Sequence, residues 1–197
     1  TKDIALPEAI TATTDLTESV TDADIIVLAI PAQALRPYLS EIKPILGAST
    51  LVVSLIKGLE RETGLRMSQV IGAELGIEED RIVVVSGPNL AMAIARKEPT
   101  ASVVACTNET NAKTVVSICN PSYFRPYTNT DVVGVEMGGV VKNVIALAVG
   151  MCDGQNLGDN SKASVITRGL AETTRLALKM GGKAETLAGL AGLGDLV

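Results

Sequence analysis

Short apolar runs alternate with segments of helical periodicity over the first two-thirds of the chain. The apolar runs predict β-strands at residues 24–30, 50–54, 81–86, 101–106 and 123–128. The segments between them predict helices at residues 34–42, 60–75, 90–97 and 109–118. Strands that are apolar throughout and separated by helices are typical of a parallel, doubly wound sheet that is covered on both faces.

The pattern becomes helical throughout after residue 130. Asp131 predicts the N-cap of a helix that runs to about residue 149, and residues 158–161 predict the start of a second helix to about residue 180. A third helix is expected from about residue 184, after a pair of glycines. We therefore predict an α/β fold in which a partial doubly wound parallel sheet, residues 1–129, precedes an all-helical domain, residues 130–197.

The composition of the chain argues against several classes of function. The formal net charge is −5 and aromatic residues make up 2% of the chain, so we expect no nucleic-acid partner. No apolar run reaches the length of about 18 residues that a membrane span needs, so we expect no membrane insertion. Cys106, Cys119 and Cys152 form no CxxC pair and are typical of reduced thiols in the cytoplasm.

Lys142 is the most unusual residue of the chain. On a helix its neighbours would be Gly138, Gly139, Ile145 and Ala146, none of which offers a carboxylate. The chain contains no histidine, so acid–base chemistry must fall to Lys, Asp, Glu, Tyr or Cys. A desolvated lysine can donate a proton near neutral pH. A structural lysine whose stem lies along the apolar surface is the alternative, and this stretch alone does not decide between them.

Polar turns follow three of the predicted strands, where a doubly wound sheet presents its ligands. They are Pro31-Ala32-Gln33, Lys57-Gly58 and Gly87-Pro88-Asn89. Any one of them could be a plain structural turn, but all three would lie on the same sheet edge.

Asp195 ends a turn of small residues and could orient Lys142, although an ordinary turn aspartate is the alternative. With no histidine and no clustered carboxylates, we expect no metal site.

Several motifs together resemble the bacterial NAD(P)-dependent glycerol-3-phosphate dehydrogenases. In chain order they are Ser86-Gly87-Pro88-Asn89-Leu90-Ala91, Gly138-Gly139-Val140-Val141-Lys142-Asn143-Val144-Ile145-Ala146, Leu157-Gly158-Asp159-Asn160-Ser161-Lys162-Ala163, Ile166-Thr167-Arg168-Gly169-Leu170-Ala171-Glu172 and Gly189-Leu190-Ala191-Gly192-Leu193-Gly194-Asp195-Leu196. The resemblance covers essentially the whole chain and implies a Rossmann-like dinucleotide-binding domain followed by a helical substrate domain.

The resemblance also implies an activity and a set of roles. The family interconverts dihydroxyacetone phosphate and sn-glycerol 3-phosphate with NAD or NADP and so supplies the phospholipid backbone. By resemblance, the catalytic residues are Lys142 and Asp195; the substrate-binding residues are Lys57, Gly87, Asn89, Lys142, Asn143 and Asp195; and the cofactor-binding residues are Pro31, Lys57 and Ala91. The implied partner is a small-molecule substrate, and a homodimer is possible.

The chain departs from the family pattern at some positions. Asn89-Leu90 stands where most bacterial members have Ser or Thr followed by Phe, and Ala93 stands where a Glu is common. The glycine-rich phosphate loop expected before Thr1 and a phosphate-binding arginine expected after Val197 are not in the sequence, so both predicted domains are partial. A dehydrogenase of the 6-phosphogluconate or β-hydroxyacid type is one alternative, although those enzymes have Asn where Ala146 stands. A non-catalytic fragment is the other.

We expect this 197-residue chain by itself to bind NADH and NADPH weakly and to reduce no dihydroxyacetone phosphate. The reason is that a doubly wound dinucleotide fold holds the pyrophosphate at its first strand–helix turn. Calorimetric titration and the loss of NAD(P)H absorbance would measure both properties, with the full-length protein as the positive control. Micromolar binding together with turnover would contradict the expectation.

Overall fold

The computed structural model describes residue 4 and residues 7–197. The strands are β1 (Ile25–Leu28), β2 (Leu51–Ser54), β3 (Ile82–Ser86), β4 (Thr100–Ala105) and β5 (Phe124–Asn129). The α-helices are α1 (Leu16–Val20), α2 (Leu35–Ile42), α3 (Met67–Leu75), α4 (Ala91–Ala95), α5 (Glu109–Ile118), α6 (Val132–Gly154), α7 (Asp159–Lys179), α8 (Ala184–Leu187) and α9 (Leu193–Leu196). Short 3-10 turns at Ala32–Ala34, Lys43–Ile45 and Glu79–Arg81 join some of them.

The strands form one sheet in chain order, from β1 to β5. β1, β2 and β3 are parallel to one another, and β4 is parallel to β5. The pair β3–β4 is antiparallel, with Ser86 opposite Val103, so the prediction of a wholly parallel sheet is wrong at this pair. A parallel crossover usually contains a full helix between its two strands. The connection from β3 to β4, residues 87–99, contains only the five-residue helix α4, and β4 runs back beside β3.

The helix predicted at residues 60–75 is wrong in its first half. Helix α3 begins only at Met67, and a tight turn closed by an antiparallel bridge between Leu59 and Arg66 precedes it. Gly64 lies in this turn at a φ of 69°, a backbone conformation that favours glycine. The helical periodicity of these residues is outweighed by the turn. The prediction that Asp131 caps α6 is confirmed, because its side chain accepts a hydrogen bond from the Gly134 amide.

Helices α2, α3 and α6 lie side by side on one face of the sheet. The buried residues of α2 and α3 pack on the first three strands, and they include Leu35, Leu39, Met67 and Ile71. Val135 of α6 packs beside them on Val84 and Val103. The opposite face is covered by α5, whose Ala112 and Val115 contact Val53, Val83 and Val104. Both faces thus carry helices, as the apolar strands predict.

The opposite face also has an apolar cavity of about 650 Å³ near β1 and β2. Val27 and Leu55 line this cavity and remain exposed to solvent.

Helix α6 divides into a buried first half and a second half that packs beside α7. Val135 and Met137 are buried in the first half, whereas Val144, Leu147 and Met151 are exposed in the second. By length and composition α6 could also cross a membrane, but the core helix of a globular protein passes the same test. Its observed role in the described chain is to join the sheet to the helices that follow.

The packing of α6 gives a test with a control on the same helix. A methyl group at Gly138 would collide with the Ala191 carbonyl oxygen, whereas one at Gly150 would meet no atom within 4 Å. We expect Gly138→Ala to lower the free energy of unfolding of the full-length protein by about 1–3 kcal/mol, as overpacking does. Gly150→Ala should raise it by about 0.4–1 kcal/mol, because alanine restricts the unfolded chain. Urea denaturation measures both, and equal effects would contradict this account of the packing.

Candidate active site

Lys57 lies just beyond the carboxyl end of β2, in a loop that is fixed from two sides. The side-chain amide of Gln33 donates a hydrogen bond to the Leu59 carbonyl at 2.7 Å. Arg36 of α2 forms a two-pronged ion pair with Glu60 in the same loop. The hydrogen bonds from Arg36, and a further one from Thr63, lower the pKa of Glu60 to about 2. The loop therefore presents Lys57 in a defined place.

Lys142 reaches the same place because α6 approaches the end of β3 very closely. A methyl group added to Gly139 would come within 2.6 Å of the Ser86 hydroxyl oxygen and 3.4 Å of Cγ of Lys57. Only the missing side chain at Gly139 lets the helix lie this near. Lys142, one turn further along α6, is then close to the strand edge that carries Lys57.

Asp195 of α9 joins the two lysines. Its Oδ1 accepts a hydrogen bond from Nζ of Lys142 at 2.9 Å, and its Oδ2 accepts one from Nζ of Lys57. Nζ of Lys57 also donates to the Gly87 carbonyl oxygen at 3.0 Å. The Asp195 side chain is only 3% exposed, whereas those of Lys57 and Lys142 are 22% and 21% exposed. The buried carboxylate thus holds two ammonium groups that solvent can still reach.

The cluster of Lys57, Lys142 and Asp195 has a formal charge of +1, and it can attract and hold an anion. An ammonium group has three N–H donors. Within the described chain, Nζ of Lys142 uses one of them, on Asp195. The remaining donors can reach a ligand oxygen, so the cluster can bind a negatively charged or carbonyl-containing molecule and supply it with a proton.

Two buried polar atoms beside the cluster have no partner in the described part of the chain. They are the Ser86 hydroxyl oxygen and the side-chain carbonyl oxygen of Asn89. A buried acceptor without a donor is costly, so a ligand group or a water is expected to satisfy it. Asn89 and Ala91 also line the apolar cavity described above, next to Leu55 and Val85.

The other predicted site residues stand apart from the cluster. Pro31 is exposed at the end of β1 and starts a 3-10 turn. Ala91 is the exposed first residue of α4, and Asn143 is exposed on α6. None of the three side chains has a hydrogen bond to the cluster within residues 4 and 7–197. Their roles stay predictions from the resemblance.

A buried polar group joins α3 to α6, and its role could not be predicted from the sequence. Glu136 of α6 forms an ion pair with Arg66 and accepts hydrogen bonds from Ser68. A signal was present in the sequence, because Glu136 is an acidic residue within an otherwise apolar helical stretch. Over the residues that the structure describes, no group of three or more His, Cys, Asp or Glu side chains is placed to hold a metal ion.

Comparison with known proteins identifies the family. Residues 1–112 match the model of the NAD-dependent glycerol-3-phosphate dehydrogenase N-terminus, and residues 131–197 match the model of its C-terminus. The chain belongs to the NAD-dependent glycerol-3-phosphate dehydrogenase family. The resemblance that the motifs suggest is thereby confirmed.

Relatives in this family are close in sequence and longer than the chain. The chain is 56% identical over 194 residues to a glycerol-3-phosphate dehydrogenase [NAD(P)+] of Streptomyces coelicolor and 57% identical to one of Thermobifida fusca. Each alignment covers 98% of this chain, and the chain spans 58% of the length of each relative.

Solved structures of family members have the same fold. The glycerol-3-phosphate dehydrogenase of Coxiella burnetii superposes with a TM-score of 0.93 at 40% identity, over 98% of this chain and 59% of its own. The yeast glycerol-3-phosphate dehydrogenase superposes with a TM-score of 0.88 at 30% identity, over 98% of this chain and 58% of its own. The predicted fold class, a sheet followed by helices, is confirmed apart from the antiparallel strand pair.

The shared carboxylate can be tested by its contribution to stability. Asp195→Asn would leave two ammonium groups close together without a counter-charge, so we expect the free energy of unfolding of the full-length protein to fall by about 1.5–3 kcal/mol. Asp153→Asn is the control, because Asp153 pairs with Lys162 but its side chain is 73% exposed. That change should cost less than about 1 kcal/mol. Urea denaturation at low salt measures both, and equal losses would show that the cluster is not specially stabilised.

Proposed function

We propose that the protein interconverts dihydroxyacetone phosphate and sn-glycerol 3-phosphate with NAD or NADP, and that this chain carries the proton-transfer centre. The observation that carries the proposal is the pair of lysines on one buried carboxylate at the carboxyl ends of β2 and β3. Membership of the NAD-dependent glycerol-3-phosphate dehydrogenase family names the reaction that such a centre would serve.

In this proposal Lys142 is the general acid. A bound nicotinamide would supply the hydride to the ketone carbon. The Lys142 ammonium donates one hydrogen bond to Asp195 and can direct another at the ketone oxygen. As negative charge grows on that oxygen, the nearby positive charge stabilises it and the proton moves from Nζ to oxygen. Asp195 keeps the ammonium in place during the transfer.

Lys57 and its neighbours bind and orient in the same proposal. Lys57 is anchored on Asp195 and the Gly87 carbonyl, and its charge attracts the phosphorylated substrate and the cofactor. Asn89 offers an unpartnered amide oxygen to a substrate hydroxyl or to the cofactor. Asn143, next to Lys142, is proposed to contact the substrate.

The cofactor side of the proposal rests on two exposed residues. Pro31 marks the strand edge along which the cofactor would pass, and Ala91 would offer its backbone. We propose no metal in the reaction.

The wider setting follows from the same family membership. We propose a cytoplasmic enzyme that supplies the phospholipid backbone, acts on a small molecule without nucleic acid or membrane insertion, and is able to form a homodimer. The three dispersed cysteines support the cytoplasmic setting, and the net charge of −5 argues against a nucleic-acid partner. The second candidate, a 6-phosphogluconate or β-hydroxyacid type of dehydrogenase, is less well supported because Ala146 stands where those enzymes have Asn.

The proposal is tested by replacing the proton donor in the full-length protein. Lys142→Met should lower kcat for dihydroxyacetone phosphate by about 10²–10⁴-fold, because one positioned acid is lost. The dissociation constant for NADH or NADPH should stay within about threefold. Lys162→Met is the matched control, since Lys162 pairs with surface aspartates on α6 and α7 and should leave kcat unchanged.

Two results would overturn this assignment. One is a Lys142→Met protein that keeps more than about a tenth of the wild-type kcat. The other is a wild-type protein that oxidises no NADH or NADPH with dihydroxyacetone phosphate, but oxidises one of them with a β-keto acid, which is the oxidised form of a β-hydroxyacid. A wild-type protein inactive on both would support the non-catalytic alternative.

A further inference from the structure

We propose that Glu136 is a positioning residue. It fixes the position of helix α6 along the helix axis and thereby the position of Lys142 relative to Asp195. Its partners in this task are Arg66 and Ser68 at the start of α3. The inference rests on the proposed function, because it concerns the alignment of the proton donor in that reaction.

Glu136 is held by three directional contacts in a dry setting. Its Oε1 accepts a hydrogen bond from the Ser68 amide at 2.9 Å, and its Oε2 accepts one from the Ser68 hydroxyl at 2.6 Å. Oε2 is also paired with Nη1 of Arg66, which donates a further hydrogen bond to the Ser68 hydroxyl at 2.8 Å. Arg66 is 9% exposed and Glu136 is 5% exposed. Both carboxylate oxygens are therefore engaged, and little water competes for them.

The contacts also join an anion to the positive end of a helix. Arg66 is the N-cap of α3, and Ser68 is the second residue of that helix. The first amide groups of a helix lack partners within it and favour a negative charge. Glu136 satisfies one of these amides from another helix. Because α3 is packed on the sheet through Met67 and Ile71, the anchor of α6 is itself rigid.

Glu136 adds directional contacts to packing that otherwise has no preferred direction. Gly138 and Gly139 lie at close range to Ala191 and Ser86 and fix how near the helix approaches them. Val135 and Met137 pack in the apolar core, where the contacts are non-directional. A slide of one residue is ~1.5 Å and would break the hydrogen bonds of Glu136.

Lys142 is well placed to depend on this anchor. It follows Glu136 by six residues, which is ~9 Å along a continuous helix. A helix transmits an axial shift without loss over that distance. Lys57 and Asn89, in contrast, follow strands of the sheet, which fix the backbone leading to these two positions. A disturbed anchor should therefore impair proton transfer while leaving the binding of substrate and cofactor nearly intact.

The test compares two acidic residues that both form ion pairs with arginine. Glu136→Gln keeps the shape of the side chain but removes its charge, and we expect kcat of the full-length protein to fall about tenfold or more, since misplacement by ~1 Å can cost ~10²-fold. KM for dihydroxyacetone phosphate and the dissociation constant for the cofactor should change less than about threefold. Glu98→Gln is the control, because Glu98 pairs with Arg96 between α4 and β4 and its side chain is 52% exposed. Its kcat should match wild type.

A double variant separates positioning from simple stabilisation. Arg66→Met combined with Glu136→Leu replaces the buried pair with apolar side chains, a change that proteins often tolerate without loss of stability. We expect this variant to keep a thermal midpoint near wild type or above the Glu136→Gln value, and still to show the reduced kcat with KM unchanged.

The outcomes are distinct. A wild-type kcat in Glu136→Gln, or recovery of kcat together with stability in the double variant, would overturn the inference and show that the pair only stabilises the fold. A change in KM with kcat unchanged would also overturn the inference. If the wild-type protein itself reduces no dihydroxyacetone phosphate, the proposed function fails instead, and the inference fails with it.

Discussion

Gly139 of helix α6 lies against Ser86 at the end of strand β3, and Gly138 lies against the Ala191 carbonyl, with no room for a side chain at either position. This close approach is the constraint on which the site depends. It brings a lysine of a helix next to a lysine of a strand-end loop, and it leaves room for the turn that carries Asp195. Two like charges so near each other are tolerable only because the buried carboxylate lies between them. Packing and electrostatics are therefore coupled at one point of the fold.

Much of the architecture could be predicted from local pattern. Five apolar runs predicted the five strands, and the change to helical periodicity near residue 130 matches the start of α6 at Val132. The direction of β4 could not be predicted, because an apolar run is the same in either direction. The start of α3 was missed because Gly64 and the bridge between Leu59 and Arg66 outweigh the helical periodicity there.

The candidate site was predictable to a different degree in each of its parts. Lys142 stood out as a cation without a nearby carboxylate, and its partner Asp195 was inferred from the chemistry that a desolvated lysine needs. Their contact is seen in the structure, as is the contact of Lys57 with Asp195 and Gly87. The role of Glu136 could not be assigned, because its partners are 70 and 68 positions away in the chain. The acidic residue within an apolar helical stretch was a signal of a buried partner, but nothing near Glu136 in the sequence identifies Arg66 and Ser68 as that partner.

The order of the strands has a consequence for how the molecule assembles. The five described strands that are neighbours in the chain are neighbours in the sheet, so each can pair as soon as the next has been synthesised, with connections of at most 27 residues to close. The contact between Lys57 and Asp195, in contrast, closes a loop of 138 positions. The five strands can thus pair before the cluster of Lys57, Lys142 and Asp195 exists. A partly folded chain would have these strands in place while the cluster was still absent, so formation of the contact between Lys57 and Asp195 during refolding should lag behind formation of secondary structure.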